Sequence, residues 1–156
     1  MSDIYELQLA LDLPDTLPET DIAVLGRHLS DEGGYAGGDA DRDEPDEEAG
    51  GPETYPLLAS RGPAWRIGGA LVGELCRGPR GWALTARQEV HPDEFPALEA
   101  LLVWLAARTS TPGPIGYLRF YESTVPDVLM TDGQVPCRMS LHPSAAVEPE
   151  LLPGAV

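Results

Sequence analysis

The side chains most often used in catalysis and metal binding are few in this chain, and they form no recognisable pattern. His28, His91 and His142 stand far apart, with no His-x-x-x-His or His-Glu-x-x-His spacing. His91 with Asp93 and Glu94 comes nearest to a ligand cluster, but acids after a proline are common first-turn residues of a helix. The sequence therefore predicts no metal site and no cofactor.

Nucleophilic catalysis has no recognisable signature either. No serine lies in a Gly-x-Ser-x-Gly elbow, and Cys76 and Cys137 are isolated, with no Cys-x-x-Cys motif. We expect both thiols to be buried and reduced. All ten basic residues are arginines, which excludes Schiff-base and phosphate-loop lysines. The sequence therefore predicts a protein that is not an enzyme.

Acidic residues dominate the charge of the chain. The 156 residues contain 26 Asp and Glu against ten arginines, a net charge of −16. Such a charge disfavours contact with a phosphate backbone or an anionic membrane surface. The first residues lack the basic start and apolar core of a signal peptide, and no apolar run approaches the roughly 18 residues of a spanning helix. We expect a cytoplasmic protein that binds neither nucleic acid nor membranes.

Nearly half of this charge lies in one short segment. Residues 39–53 contain eight acids and one arginine, a net charge of −7. Residues 31–53 show no hydrophobic periodicity, so we expect a disordered acidic loop. The loop is either a solvated linker or an electrostatic lure that steers a basic partner toward the fold. In the second case the candidate partner-binding carboxylates are Asp39, Asp41, Asp43, Glu44, Asp46, Glu47 and Glu48.

Hydrophobic periodicity predicts two helices and several strands. The predicted order is strand 5–13, a helix ending near residue 30, strands 65–76 and 82–90, a helix opening at residues 91–94, strand 115–122, and a hairpin of strands 128–130 and 135–141. Trp65 is expected to share one strand face with the apolar residues that follow it. The order βαββαβ favours a ferredoxin-like α+β fold with both helices on one face of an antiparallel sheet, plus a C-terminal β-hairpin. Residues 1–143 would form a single domain and residues 144–156 a flexible tail.

One strand presents a row of side chains typical of interfaces. In strand 115–122 the alternation turns Tyr117, Arg119 and Tyr121 away from the core, and Arg87 points outward on a neighbouring strand. Because the helices cover only one face in the predicted fold, this row lies exposed, under a partner, or under the final hairpin or tail. Tyr and Arg are enriched in binding hot spots, so these four residues are candidate partner-binding residues.

A second pattern lies in the same part of the chain. A helix ends with the sequence LLVWLA, a short Gly/Pro-rich break follows, and the next strand reads GYLRFYE. Over residues 95–141 this succession resembles one of the immunity-protein families of bacterial polymorphic toxin systems. The resemblance implies a small α+β protein that binds a cognate toxin domain and blocks it. Ser123 and Thr124 stand where that family pattern has acids, so no inhibitory residue is transferred.

Two classes of function follow from these observations. The first is a non-catalytic acidic interaction module, an immunity-type inhibitor of a basic protein partner such as a toxin nuclease. The second is a small ligand-binding or enzymatic ferredoxin-like domain, or a homodimer joined through its open sheet face, with an apolar pocket lined by Trp65, Trp82 or Tyr117. A structural accessory of a larger assembly is a third possibility, which the sequence does not separate from the first.

Overall fold

The alternating leucines of residues 5–13 form the central strand of an antiparallel sheet in the computed structural model, which describes residues 3–29 and 56–141 together with Pro153. The strands are β1 (Tyr5–Leu13), β2 (Gly62–Pro63), β3 (Ala70–Gly78), β4 (Gly81–Val90), β5 (Gly113–Phe120), β6 (Asp127–Thr131) and β7 (Pro136–Met139). The helices are α1 (Glu19–Leu29) and α2 (Phe95–Ala106), and a 3₁₀ turn at Pro92–Glu94 precedes α2. The predicted α+β class is confirmed.

The strands lie in the order β2-β3-β4-β1-β5-β6-β7, and every neighbouring pair is antiparallel. Leu7, Leu9, Leu11 and Leu13 line one face of β1 and are buried in the same hydrophobic cluster as the inner residues of α1 and α2. Burying each of these leucines contributes about 1.5–3 kcal/mol. The opposite face of the sheet, here called the open face, carries the other set of alternating residues, and neither described helix packs on it.

Both helices bury one face against the sheet. In α1 the buried residues are Val24, Leu25 and His28, while Ile22 and Leu29 are only partly buried against the core. In α2 the buried residues are Leu98, Leu101, Leu102, Trp104, Leu105 and Ala106. Within the described residues, neither helix is long and apolar enough to cross a bilayer.

The final hairpin extends the sheet at one edge and does not fold over the open face. β6 pairs with β5 and then with β7, across a turn in which Gly133 has a φ of 99°. Asp132 Oδ1 accepts the N–H groups of Gln134 and Val135 at 2.8 Å, and these backbone hydrogen bonds lower the pKa of Asp132. The hairpin pairs at the edge of the sheet beyond β5 and does not itself cover the row on β5.

The strand predicted for residues 65–76 begins too early. β3 starts only at Ala70, because Gly68 and Gly69 have φ values of 76° and 71°, a conformation that reverses the chain and that glycine adopts without strain. The N–H of Ala64 donates to the Gly69 carbonyl at 2.7 Å and closes this turn. Trp65, predicted to lie on a strand face, is therefore 77% exposed.

The prediction of buried thiols is wrong. Both cysteines are free and exposed. Cys76 is in register with Ala83, which places it on the open face, and Cys137 lies on the edge strand β7. A hydrogen bond and the negative charge of Glu74 raise the pKa of the Cys76 thiol, so this thiol stays protonated at neutral pH.

Candidate interaction surface

A carboxylate held between two guanidinium groups lies on the open face. The alternation of β1 turns Glu6 away from the helices, and the strand register places Arg119 of β5 directly opposite it. Glu6 Oε1 accepts from Arg119 Nε at 3.2 Å, and Glu6 Oε2 accepts from Arg87 Nη2 at 2.6 Å and Nε at 3.0 Å. The Glu6 side chain is 7% exposed and the two arginines are 19% and 22% exposed. Glu6, Arg87, Arg119 and Tyr117 are called the Glu6 cluster below.

The arginines determine the ionisation of the Glu6 cluster. Burial by itself would raise the pKa of Glu6, but the hydrogen bonds and charges of Arg87 and Arg119 outweigh it and lower the pKa. Burial and the charge of Glu6 raise the pKa of Tyr117. The cluster thus carries one negative and two positive charges at neutral pH. Its carboxylate is ionised, with both oxygens already occupied by hydrogen bonds.

The outward-facing residues Arg87 and Glu89 also hold the turn of residues 65–69, here called the Trp65 turn. Arg87 donates to the carbonyls of Gly68 at 2.7 Å, Ala70 at 3.2 Å and Ile67 at 3.3 Å. Glu89 Oε1 accepts the N–H groups of Arg66 at 2.9 Å and Ile67 at 3.5 Å, and also that of Trp65. Arg87 therefore satisfies backbone carbonyls of this segment, and Glu89 satisfies backbone N–H groups of the turn.

Glu89 also faces Glu6 directly across the β1–β4 pair. Two carboxylates at such positions repel each other unless each has its own donors. Here Glu6 accepts from the arginines and Glu89 accepts from the turn backbone, so the repulsion is compensated on both sides.

The Trp65 turn presents an aromatic and cationic surface. The Arg66 guanidinium carbon lies 4.9 Å from the Trp65 ring centroid and 5.4 Å from that of Tyr121. Such distances fit cation–π contacts with both rings. Tyr121 follows the end of β5, where its N–H donates to the Ile4 carbonyl at 2.9 Å and its hydroxyl donates to Glu122 at 2.9 Å. Trp65, Arg66 and Tyr121 form the Trp65–Arg66–Tyr121 stack.

The structure brings together part of the set chosen from the sequence. Arg87, Arg119 and Tyr117 converge on Glu6 on the open face, and Tyr121 lies beyond the strand end against Arg66. Their role in binding a partner stays a prediction. The seven candidate carboxylates between residues 39 and 48, the acidic loop 31–53 and, Pro153 apart, the tail 144–156 lie outside the described residues.

Three residues of this surface were missed by sequence reasoning. The alternation of β1 puts Glu6 opposite the leucines, but only the register shows that it meets two arginines. The alternation of β4 puts Glu89 on the same face as Arg87 but does not show its partner. Arg66 carried no signal, because its position depends on the turn that Gly68 and Gly69 form. Charged residues at alternating outward positions of adjacent strands are the signal that points to such a cluster.

Two clefts lie elsewhere. A cleft of about 290 Å³ lies between α2 and strands β5, β6 and β7, and its apolar lining is Phe95, Leu98, Leu102, Val103, Leu118 and Leu129. A second, of about 270 Å³, lies across β1, β4 and the start of β5. Neither is lined by Trp65, Trp82 or Tyr117, the residues expected around a ligand pocket. Within the described residues, no group of three or more His, Cys, Asp or Glu side chains could hold a metal ion.

Comparison with known proteins identifies no relative that could supply a function. No protein-family model matches the chain, and no curated protein or solved structure matches it either.

Proposed function

We propose that this protein is a non-catalytic interaction module, an immunity-type inhibitor of a basic protein partner such as a toxin nuclease, and that it binds through the open face. The observation that carries this proposal is the Trp65–Arg66–Tyr121 stack, an exposed aromatic and arginine surface on a backbone held by hydrogen bonds. Trp, Tyr and Arg dominate the energetics of protein interfaces. A surface of this composition on a fixed turn supports binding.

The ionisable groups of the open face support a binding role over a catalytic one. A general base needs a free oxygen and a pKa near neutrality. Glu6 has neither, since both oxygens accept hydrogen bonds and its pKa is lowered. A nucleophilic thiol needs a lowered pKa, whereas that of Cys76 is raised.

The distribution of charge supports a basic partner. Residues 39–53 carry a net −7, while the Glu6 cluster carries one more positive than negative charge. Strongly charged segments accelerate encounter, and compact aromatic and arginine surfaces slow dissociation. We assign the acceleration of encounter to the acidic segment of residues 39–53 and the slowing of dissociation to the open face.

The steering role leads to a test with a matched control. We expect the variant with Asp39, Asp41 and Asp43 changed to Asn to associate several-fold more slowly with any toxin domain that a neighbouring reading frame encodes. The control, Asp12→Asn with Glu19→Gln and Glu99→Gln, removes the same charge from exposed positions of the fold. Stopped-flow association at low salt measures the difference, which should vanish near 0.5 M salt because of screening.

The same experiment can contradict the proposal. If no neighbouring reading frame encodes a toxin domain that the full chain binds and inhibits, the immunity-type function is wrong. If both triple variants slow association equally, only the overall charge matters and the acidic segment has no special role.

We also infer that β1, α1, β3, β4, α2 and β5 form a ferredoxin-like unit, with β2 added at one edge and the β6–β7 hairpin at the other. The central strand order β3-β4-β1-β5, antiparallel throughout, supports this topology. An experimental structure would test it through the handedness of the two βαβ connections.

The apolar cleft between α2 and β5–β7 favours a second candidate function, the binding of a small apolar ligand. We expect the dye 1-anilinonaphthalene-8-sulfonate to fluoresce in this cleft, and Val103→Trp, at its exposed rim, to reduce the signal several-fold by filling it. Val135→Trp, at an exposed position of the β6–β7 turn, is the control and should leave the signal unchanged. An equal signal in all three proteins would rule out this cleft as a binding site.

A further inference from the structure

We propose that the Trp65–Arg66–Tyr121 stack is the central contact for a partner segment that carries a carboxylate next to an apolar side chain. The carboxylate would pair with Arg66 and the apolar group would cover the Trp65 indole. This inference rests on the proposed function, since it assumes that the open face binds a protein, and it specifies the chemistry of the contact.

The first argument is the unsatisfied charge of Arg66. Within the described part of the chain, five other arginines each lie within 4.0 Å of a carboxylate: Arg77, Arg87, Arg108, Arg119 and Arg138. In the same residues no acidic group lies within that distance of the Arg66 guanidinium, which instead contacts the rings of Trp65 and Tyr121. Guanidinium groups offer donors in a planar fork that matches a carboxylate. Arg66 thus has donors for an external anion.

The second argument is the exposure of Trp65 on a fixed backbone. The side chain is 77% exposed, while Glu89 and Arg87 bind the N–H and carbonyl groups of the same turn. An indole offers a large apolar surface, and a fixed turn loses little conformational freedom when it binds. The turn is therefore already in one conformation before a partner arrives.

The third argument concerns the local charge. On the Trp65 side, the three arginines Arg66, Arg87 and Arg119 exceed the two carboxylates Glu6 and Glu89 by one charge, and Glu122 on the Tyr121 side balances this excess. Glu122 accepts from the Tyr121 hydroxyl and makes that side acidic. An acidic partner group is therefore favoured on the Trp65 side of Arg66. A second copy of the chain is disfavoured, because each copy carries −16.

The test uses a defined probe, a phage-displayed library of random 12-residue peptides panned on the full chain. We expect enrichment of peptides with Asp or Glu beside an apolar residue, and Trp65→Ala and Arg66→Met should each raise the Kd of the synthetic peptides at least tenfold. Arg80→Met, at an exposed position in the β3–β4 turn, is the matched control and should change the Kd less than twofold. Tryptophan fluorescence and titration calorimetry measure these constants, and unchanged thermal midpoints show that the variants fold.

Several outcomes would overturn the proposal. The proposal is wrong if the panning enriches no peptides, or if the enriched peptides lack acidic residues. It is also wrong if Arg66→Met leaves the Kd of the peptides unchanged. A concentration-dependent dimer that Trp65→Ala abolishes would identify a second copy as the occupant and would also overturn it. The two proposals fail separately: acidic peptides that bind the stack, with no inhibition of any toxin domain encoded by a neighbouring reading frame, contradict only the proposed function. Inhibition that survives Trp65→Ala and Arg66→Met contradicts only the stack as the contact.

Discussion

Replacing Glu6 by alanine is expected to lower the free energy of unfolding by about 3 kcal/mol, because Arg87 and Arg119 would remain largely buried without a counter-ion. This value is at the low end for a broken buried ion pair, since both guanidinium groups keep about a fifth of their surface in solvent. Urea unfolding followed by circular dichroism measures the change.

The matched control for Glu6 lies on the same strand and the same face. Asp12 is exposed, so Asp12→Ala should change the unfolding free energy by less than about 0.5 kcal/mol. Equal losses in Glu6→Ala and Asp12→Ala would show that the Glu6 cluster contributes nothing particular to stability. Because Arg87 also holds the Trp65 turn, we expect Glu6→Ala to increase hydrogen exchange at Ala64, whose N–H closes this turn.

Acidification is expected to destabilise the protein through His28, which is fully buried in α1. Burial lowers the pKa of His28 from 6.5 to about 4. The unfolded state therefore binds a proton at a higher pH than the folded state, and the stabilisation is complete above pH 6.5 and is lost as the pH falls toward 4. Between pH 7.5 and 4.5 we expect a loss of about 2–3 kcal/mol.

Two variants separate this effect from other titrations. His28→Gln should abolish the slope of unfolding free energy between pH 6.5 and 4.5, although this variant is less stable overall. His91→Gln changes a partly exposed histidine and should retain the slope. The titration of Glu6 does not contribute to this slope. Because its pKa is lowered, its contribution to stability is lost only as the pH falls below the ordinary glutamate pKa of 4.5. A slope that persists in His28→Gln would assign the acid sensitivity to another group.

The position of His28 indicates which part of the fold would respond first. Its Nδ1 accepts the N–H of Leu57 at 3.4 Å, and its backbone carbonyl accepts the N–H of Leu58 at 2.9 Å. A protonated imidazole nitrogen cannot accept a hydrogen bond. Protonation would therefore weaken the contact between the end of α1 and Leu57.

Much of the secondary structure was predictable because hydrophobic periodicity reports burial directly. The leucines of β1 and the stripe of α2 have the periods of a half-buried strand and an amphipathic helix, and both elements form where expected. Two predictions failed, the start of the strand predicted for residues 65–76 and the burial of the cysteine thiols. Gly68 and Gly69 delay the start of the predicted strand to Ala70, and Cys137 is exposed on β7, which lies at the edge of the described sheet.

What the sequence by itself determined is the face on which each side chain lies. Alternation along a strand has a period of two, so Glu6, Arg87 and Arg119 had to lie opposite the leucine core once their strands formed. Strand alternation contains no information about which residues meet across strands. The register of β1 with β4 and β5 decided that one carboxylate lies between two arginines, and the turn after β2 decided that Trp65 and Arg66 lie beside them. These contacts join residues up to 113 positions apart, and only tertiary pairing brings such residues together.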